Sequence, residues 1–345
     1  MRAAVYRGPS NISVETVPVP RISEGEILLR VHTCGICATD LKKIEYGLVP
    51  PPRIFGHEIA GTVVETGGAL EGFRRDQRVA VAPAVPCGQC RYCLRGIQTM
   101  CDNLRSIGYQ FHGGFAEYMV VPSSAIRAGC VNSVPENLSL QQATLAEPLA
   151  CAINSQELLN VGMGDSVVIL GAGALGCMHA DLARLRGALK ILLVDIQPHR
   201  LEMARSFSAD VLIDGSTENV SARVLAETDA IGATVVIVAA PSGEAQELAL
   251  TLAAKQGRIS FFGGLPKSKP CISFNANVVH YRELFIMGAY GSKPRHNRAA
   301  LDLLAGGRLH VSSLIGMVVP LERIQDGLDA AAQGKFLKVV VQPNT

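Results

Sequence analysis

A chain of 345 residues is too long for one ordinary hydrophobic core and predicts two domains. With 48% hydrophobic and 18% charged residues it belongs among compact globular proteins, and a formal net charge of +2 excludes bulk attraction to nucleic acid or to a membrane. The opening MRAAVYRGPS reads as a short strand rather than an export signal, and no apolar run reaches the ~18 residues of a membrane span, so a soluble cytoplasmic protein is expected.

Segments 2–6, 26–32, 59–65 and 77–81 are short, β-leaning and separated by Gly, Pro or acidic turns, which predicts a mostly antiparallel or barrel-like first domain. The texture changes near Glu136. Residues 139–159 read as one or two helices, and then a strand–helix rhythm begins. Apolar runs at 166–170, 190–194, 211–214, 234–239 and 258–262 alternate with helical stretches, the first of them at about 174–186. That alternation predicts a parallel sheet covered on both faces. The last part of the chain carries a helix at 298–305 and a closing strand at 336–342.

Of the ten cysteines, four share one loop: Cys87-x-x-Cys90-x-x-Cys93, then Cys101. Four thiolates close a tetrahedral shell and leave no position for substrate, so this pattern predicts a structural zinc site in a lobe spanning 86–102. The loop has little apolar content, and the metal would supply its folding energy. A redox CxxC does not account for the third and fourth cysteines. Cys130, Cys151, Cys177 and Cys271 read as buried small hydrophobes. Elsewhere Cys37, His57-Glu58 and Glu147 are candidate ligands, but each has an ordinary alternative as a buried thiol, a core histidine or a helix-start carboxylate. Spacing alone does not join them.

Gly171-Ala172-Gly173-Ala174-Leu175-Gly176 directly follows the 166–170 strand and opens a helix. The first glycine suits a tight turn, the second a close approach to a pyrophosphate, and the third the packing of helix on strand. The helix N-terminus offers N–H groups and a positive dipole end to phosphates. Asp195, 19 residues past Gly176, is placed to accept the adenosine ribose hydroxyls and to disfavour a 2′-phosphate, which points to NAD over NADP. Arg200 then reads as stacking on adenine or bracing the ribose. The alternative is a Gly-rich turn with a strand-end Asp capping a helix.

Taken together, the CxTD segment at Cys37, the GHE at 56–58, the four-cysteine lobe, the EPLA at 147–150 and GAGALG with its downstream Asp resemble the zinc-containing medium-chain dehydrogenases. The sorbitol and threonine dehydrogenase branch is the most similar, and the likeness covers essentially the whole chain. It implies a GroES-like catalytic domain at 1–153, a Rossmann NAD-binding domain at 154–295, and a return at 296–345 that completes the first. It also implies two zinc ions per chain, with the catalytic one held by Cys37, His57 and Glu147 and Glu58 able to join or exchange. Asp40 would fix the His57 tautomer, and Cys34 would be a structural thiol.

Zinc-dependent, NAD-linked oxidation of a small-molecule secondary alcohol or polyol is implied by the same resemblance, with hydride passing to nicotinamide and Thr39 Oγ taking the alcohol proton. Lys338 would neutralise cofactor phosphates, or be a solvated edge-strand lysine. Lys42 stands where many relatives end the proton relay with His, and a lysine near its ordinary pKa of ~10.4 is a poor shuttle, so either its pKa is depressed or protons leave through water. Lys43, Gly291 and Ser292 replace the Tyr and Arg-Tyr that hold sugar hydroxyls in sorbitol-type enzymes. If Lys42, Lys43, Lys293, Arg295 and His296 converge, the substrate is anionic, such as a polyol phosphate or threonine; otherwise they are surface charges. The stretch Phe111–Phe115 should border the substrate pocket, where His112 either donates to substrate or bonds within a turn. A reading from another class is a nucleotide-sensing protein on the same scaffold, which the intact Cys37, Thr39, His57 and Glu147 disfavour. The family assembles as dimers or tetramers, and 277–289 is the candidate contact.

Overall fold

The strands of the first half pair antiparallel, and the central ones are buried along most of their length. In the computed structural model, which describes residues 1–344, the strand Ile27–Gly35 is the spine of this unit. It pairs antiparallel with Glu58–Thr66, Tyr118–Val121 and Lys338–Gln342. Arg78–Val81 and Val131–Ser133 extend the sheet on one side, and Ile315–Pro320 lies parallel to Lys338–Gln342 on the other. The end of the chain therefore completes the sheet of the beginning. Tyr6, Leu29, Phe55, Ile59, Phe115 and Met119 fill the interior with almost no exposed surface.

The register of this sheet brings distant segments to one level. Gly35 is opposite Glu58, and Val340 is opposite Gly35. Cys37, two residues beyond Gly35, is thereby brought toward His57 and Glu58, and Lys338, two residues before Val340, arrives at the same place. The helix Ala38–Glu45 starts there, with Cys37 as its N-cap.

The second unit is built on apolar runs such as Val167–Leu170, buried on both faces. Among the described residues its sheet has six strands, all parallel, in the order Val211–Asp214, Lys190–Asp195, Ser166–Leu170, Ala233–Val238, Ala253–Phe261, Phe285–Gly288. In order of appearance along the chain this is 3-2-1-4-5-6, the doubly wound Rossmann arrangement, whose ligand crevice opens where the order reverses, past the ends of Ser166–Leu170 and Ala233–Val238.

Among the described residues, the units comprise 1–150, 291–307 and 314–344 in one, and 151–290 with 308–313 in the other. The return to the first unit therefore starts at Gly291 rather than 296. The helix expected at 298–305 is Pro294–Ala305, with proline in its first turn. It is tied to the first unit by Asn132 Nδ2 donating to Asn297 Oδ1 (3.2 Å) and Asn137 Nδ2 donating to the Ala305 carbonyl (2.8 Å). Residues 308–313 cross back because buried Asp181 accepts both the backbone N–H and the ring Nδ1 of His310, at 2.8 and 3.0 Å. The 139–159 region resolves into Leu140–Ala143 and Ala146–Leu158. No helix among the described residues is long and apolar enough to cross a membrane.

Candidate active site and metal centres

Cys87, Cys90, Cys93 and Cys101 bring their sulfurs within 4.8 Å of one another, and none of the ten cysteines is in a disulfide. The strands Ala84–Val85 and Arg105–Ser106 pair at the neck of this lobe. Cys87 N–H donates to Cys101 Sγ at 3.2 Å. Backbone N–H groups of Cys93 and Asp102 hold the Cys90 thiol down to about 6, whereas burial pushes Cys93 up to about 12. Four converging sulfurs with backbone donors aimed at them fit a closed tetrathiolate zinc site. Of the other cysteines, Cys130 and Cys177 are buried as expected, Cys151 is half-buried, and Cys271 is exposed, so the reading of all four as core thiols fails at Cys271.

The second cluster joins Cys37, His57 and Glu58, whose ligand atoms also lie within 4.8 Å of one another. Asp40, fully buried in the first turn of the helix, braces the cluster with both oxygens. Oδ1 is 3.0 Å from His57 Nδ1, and Oδ2 accepts the Cys37 N–H at 3.3 Å. With Nδ1 so engaged, Nε2 is the nitrogen that a metal would take. Burial pulls the His57 pKa down, but the Asp40 charge and hydrogen bond outweigh it and the net is well above the ordinary value. Thr39 N–H donates to Cys37 Sγ at 3.5 Å, and the Thr39 residue itself is exposed.

Glu58 has one oxygen on Lys338 Nζ, while Oε2 is buried with no hydrogen-bond partner among the described residues. An unpartnered buried carboxylate oxygen beside a thiolate and an imidazole fits a zinc ion, for which this donor set is characteristic. Gly35 makes the arrangement sterically possible, because a Cβ there would overlap Glu58 Oε2. Glu147 opens the helix Ala146–Leu158 and acts electrostatically on Tyr109 and Lys338, but it is not one of the three groups that converge within 4.8 Å.

Several expected roles change. Lys338 is 7% exposed and ion-paired with Glu58, so it does not serve as a phosphate-neutralising or solvated lysine. Burial lowers its pKa, and the charges of Glu58 and Cys37 more than restore it. His296 is wholly buried and its Nδ1 accepts the Lys293 N–H at 3.1 Å, which removes it from any basic cleft. Lys42 and Arg295 are exposed, Lys43 and Lys293 are half-buried, Ser292 is buried and Gly291 is exposed. Lys43 is held at the site, with Nζ 4.2 Å above the Tyr109 ring. His112 Nδ1 accepts the Ile54 N–H at 3.2 Å, so the ring serves the turn. Tyr109 is the residue that sequence reasoning missed. Its place two residues before the Phe111–Phe115 stretch was the one available signal.

In the second unit Gly171 has φ +112°, outside the range of other residues without strain, and a Cβ at Gly176 would overlap the Gly171 carbonyl. A Cβ at Gly173 would meet nothing within 4 Å, so backbone is open to an approaching ligand there. The helix Ala174–Leu185 presents its N-terminus to the same place, fitting a pyrophosphate. Asp195 accepts Ala172 N–H on Oδ2 at 2.7 Å and Gln197 N–H on Oδ1 at 2.9 Å, and Arg200 Nη1 stands 3.9 Å from Oδ2.

Residues 23–131 match the family model for the alcohol dehydrogenase GroES-like domain, and 174–306 match that for the zinc-binding dehydrogenase domain. Similar proteins include an L-threonine 3-dehydrogenase of Pyrococcus horikoshii, 33% identical over 94% of this chain and 93% of that one. A sorbitol dehydrogenase of Bacillus subtilis is 30% identical over 100% and 98%. A solved structure from Sinorhizobium meliloti, bound to NADP, is 31% identical with a TM-score of 0.92 and covers 99% of each chain. The chain belongs to the zinc-binding alcohol dehydrogenase family, whose two domains are a GroES-like barrel and a Rossmann sheet. It is an oxidoreductase of the CH–OH group that uses zinc and a nicotinamide cofactor.

Proposed function

We propose that the chain oxidises a secondary alcohol or polyol with NAD, using a catalytic zinc on Cys37, His57 and a carboxylate from Glu58 or Glu147, and a second zinc on the four-cysteine lobe. The observation that carries this is the convergence of Cys37, His57 and Glu58 around a buried, unpartnered carboxylate oxygen. When bound, zinc supplies Lewis-acid polarisation of the alcohol oxygen and nicotinamide supplies the hydride acceptor. The protein's own groups do the rest. Asp40 fixes His57 and the Cys37 backbone together, and Thr39 Oγ takes the alcohol proton. Because Thr39 is exposed, that proton passes to water without needing Lys42. Asp195 uses one lone pair of each oxygen on backbone N–H groups, and the remaining lone pairs suit ribose hydroxyls. Its negative charge opposes a 2′-phosphate.

One observation favours a second reading. The Lys43 ammonium stands over Tyr109, whose hydroxyl touches His57, so a cation borders the metal site where a neutral polyol has no use for one. That position suits a substrate carrying a carboxylate or phosphate. A screen of polyols, secondary alcohols, threonine and polyol phosphates with NAD and NADP, read by NADH absorbance, tests both. Activity on neutral polyols that is indifferent to Lys43→Ala supports the first reading. A preference for anions that this change abolishes supports the second, and absence of hydride transfer from every class sinks both.

Homodimerisation through the strand Phe285–Gly288 is part of the same proposal. That strand ends the six-stranded sheet, and Phe285 is 56% exposed. An unpaired edge joined to its copy about a twofold axis buries both. Light scattering should give a dimer or larger for the native chain and a monomer for Phe285→Glu. A reducing, cytoplasmic setting is supported by ten cysteines without a disulfide.

A further inference from the structure

The catalytic cluster has a contact that its zinc ligands and Asp40 do not account for. Tyr109 Oη–H donates to Asp40 Oδ1 at 3.3 Å, and the same oxygen lies 3.1 Å from His57 Nδ1. Asp40 Oδ1, His57 Nδ1 and Tyr109 Oη thus form a closed three-membered set. The tyrosine is held on three sides. Its ring is tilted against His57 at 5.4 Å, meets Phe55 edge-on at 6.0 Å, and carries Lys43 Nζ at 4.2 Å above its face. The turn that bears it is anchored to the His57 segment, since Gly114 N–H donates to the Gly56 carbonyl at 2.9 Å and Gly113 N–H to the Ile54 carbonyl at 2.8 Å. A Cβ at Gly113 would overlap the Gly56 carbonyl, which sets how closely the turn approaches.

We propose that Tyr109 is a positioning residue for the catalytic metal: its hydroxyl fixes the Asp40 carboxylate so that His57 is held with Nε2 aimed at the zinc. A carboxylate that meets the ring nitrogen through a single contact leaves the imidazole free to rock, and a second donor on the same oxygen removes that freedom. Partners of this kind change metal affinity by about 10–100-fold when removed. Lys43 acts on the ring face through a cation–π contact, which keeps the hydroxyl in register. This proposal rests on the reading that Cys37 and His57 hold zinc.

The test is zinc release from the fully loaded enzyme into excess chelator, followed with a chromophoric indicator. Wild type should release two ions per chain. Tyr109→Phe keeps the ring and its packing and should release one of the two ions about tenfold or more faster while the other, from the four-cysteine lobe, is unchanged. Cobalt placed in the catalytic site should show an altered ligand-field band in the same variant. Should Tyr109→Phe not be recovered folded, Lys43→Met carries the test. It leaves every hydrogen bond of the set in place, releases the ring, and should speed loss of the same ion. Unchanged release in the variant that is tested, or equal acceleration of both ions, overturns the proposal. A wild-type chain that holds a single zinc overturns the underlying site reading instead.

Discussion

Lys338 and Glu58, 280 residues apart in the chain, form a buried ion pair in the floor of the catalytic unit. Glu58 is fully buried and Lys338 nearly so, Glu58 converges with Cys37 and His57, and its second oxygen has no partner among the described residues. The lysine places a positive charge against the buried carboxylate. Lys338→Met should cost about 3–5 kcal/mol of stability, because it strands a buried charge. Adding Glu58→Gln should restore part of it. Urea unfolding of the two single variants and the double variant would show this as a coupling energy, and strict additivity would mean that the pair does not interact.

Gly35 is the steric partner of that carboxylate. A Cβ at this position overlaps Glu58 Oε2, so Gly35→Ala must rotate Glu58 or displace the strand. Overpacking of this kind costs about 1–3 kcal/mol. Misplacement of the cluster by about 1 Å should reduce kcat roughly 100-fold. Unaltered turnover with a normal unfolding curve would show that Glu58 is not needed where it stands.

In the lobe, Cys93 is one of the two buried thiols, and burial pushes it up to about 12 in the absence of a metal charge. Cys93→Ser should reduce zinc content from two equivalents to one and lower Tm, since the metal supplies folding energy to a loop with little apolar packing. Metal analysis of the purified variant decides it, because two equivalents retained would contradict a four-thiolate shell.

His179, in the second unit, offers a pH test. It is wholly buried on the helix Ala174–Leu185, its Nδ1 accepts from Gln156 Nε2 at 3.2 Å, and burial lowers its pKa to about 3. In the unfolded chain it titrates near 6.5. Between those values the unfolded state binds the extra proton, so stability falls as pH drops through 6.5 and continues falling toward about 3. Above pH 7 both states are neutral and His179 contributes no slope. The limiting slope is about 1.4 kcal/mol per pH unit. His179→Gln should flatten the decline of Tm between pH 6.5 and 5.5 relative to wild type, whereas parallel curves would mean that the ring is not held neutral.

Cys87, Cys90, Cys93 and Cys101 can be read as one site from the sequence because fifteen residues close their loop, and Gly171–Gly176 because strand, turn and helix are consecutive. Asp195 belongs to the same class, since it ends the next strand of the same unit. In each of these, spacing along the chain is nearly spacing in space. The catalytic cluster is different. Cys37, just past the end of Ile27–Gly35, meets His57 and Glu58, at the start of Glu58–Thr66, because these strands pair in one register, and a shift of one residue would turn the Glu58 side chain to the opposite face. The resemblance to a family names Cys37, His57 and Glu147 as ligands, with Glu58 able to exchange, where spacing names none; the three groups that converge are Cys37, His57 and Glu58.

Neither spacing nor resemblance supplies the company these ligands keep. Lys338 reads as a phosphate or solvent lysine in sequence, and only the pairing of Val340 with Gly35 sets it beside Glu58. Tyr109 is marked in sequence only by its nearness to the Phe111–Phe115 stretch, and nothing in 106–115 reveals that its turn folds onto Gly56. By itself the sequence determined much of the chemistry available to this protein: its four-thiolate donor set, its phosphate-binding turn and its alternation of strands and helices. The tertiary structure decided which donors share a carboxylate and which charge neutralises which, because those contacts depend on strand register and loop closure over tens to hundreds of residues, and sequence pattern at any one position carries no record of the partner.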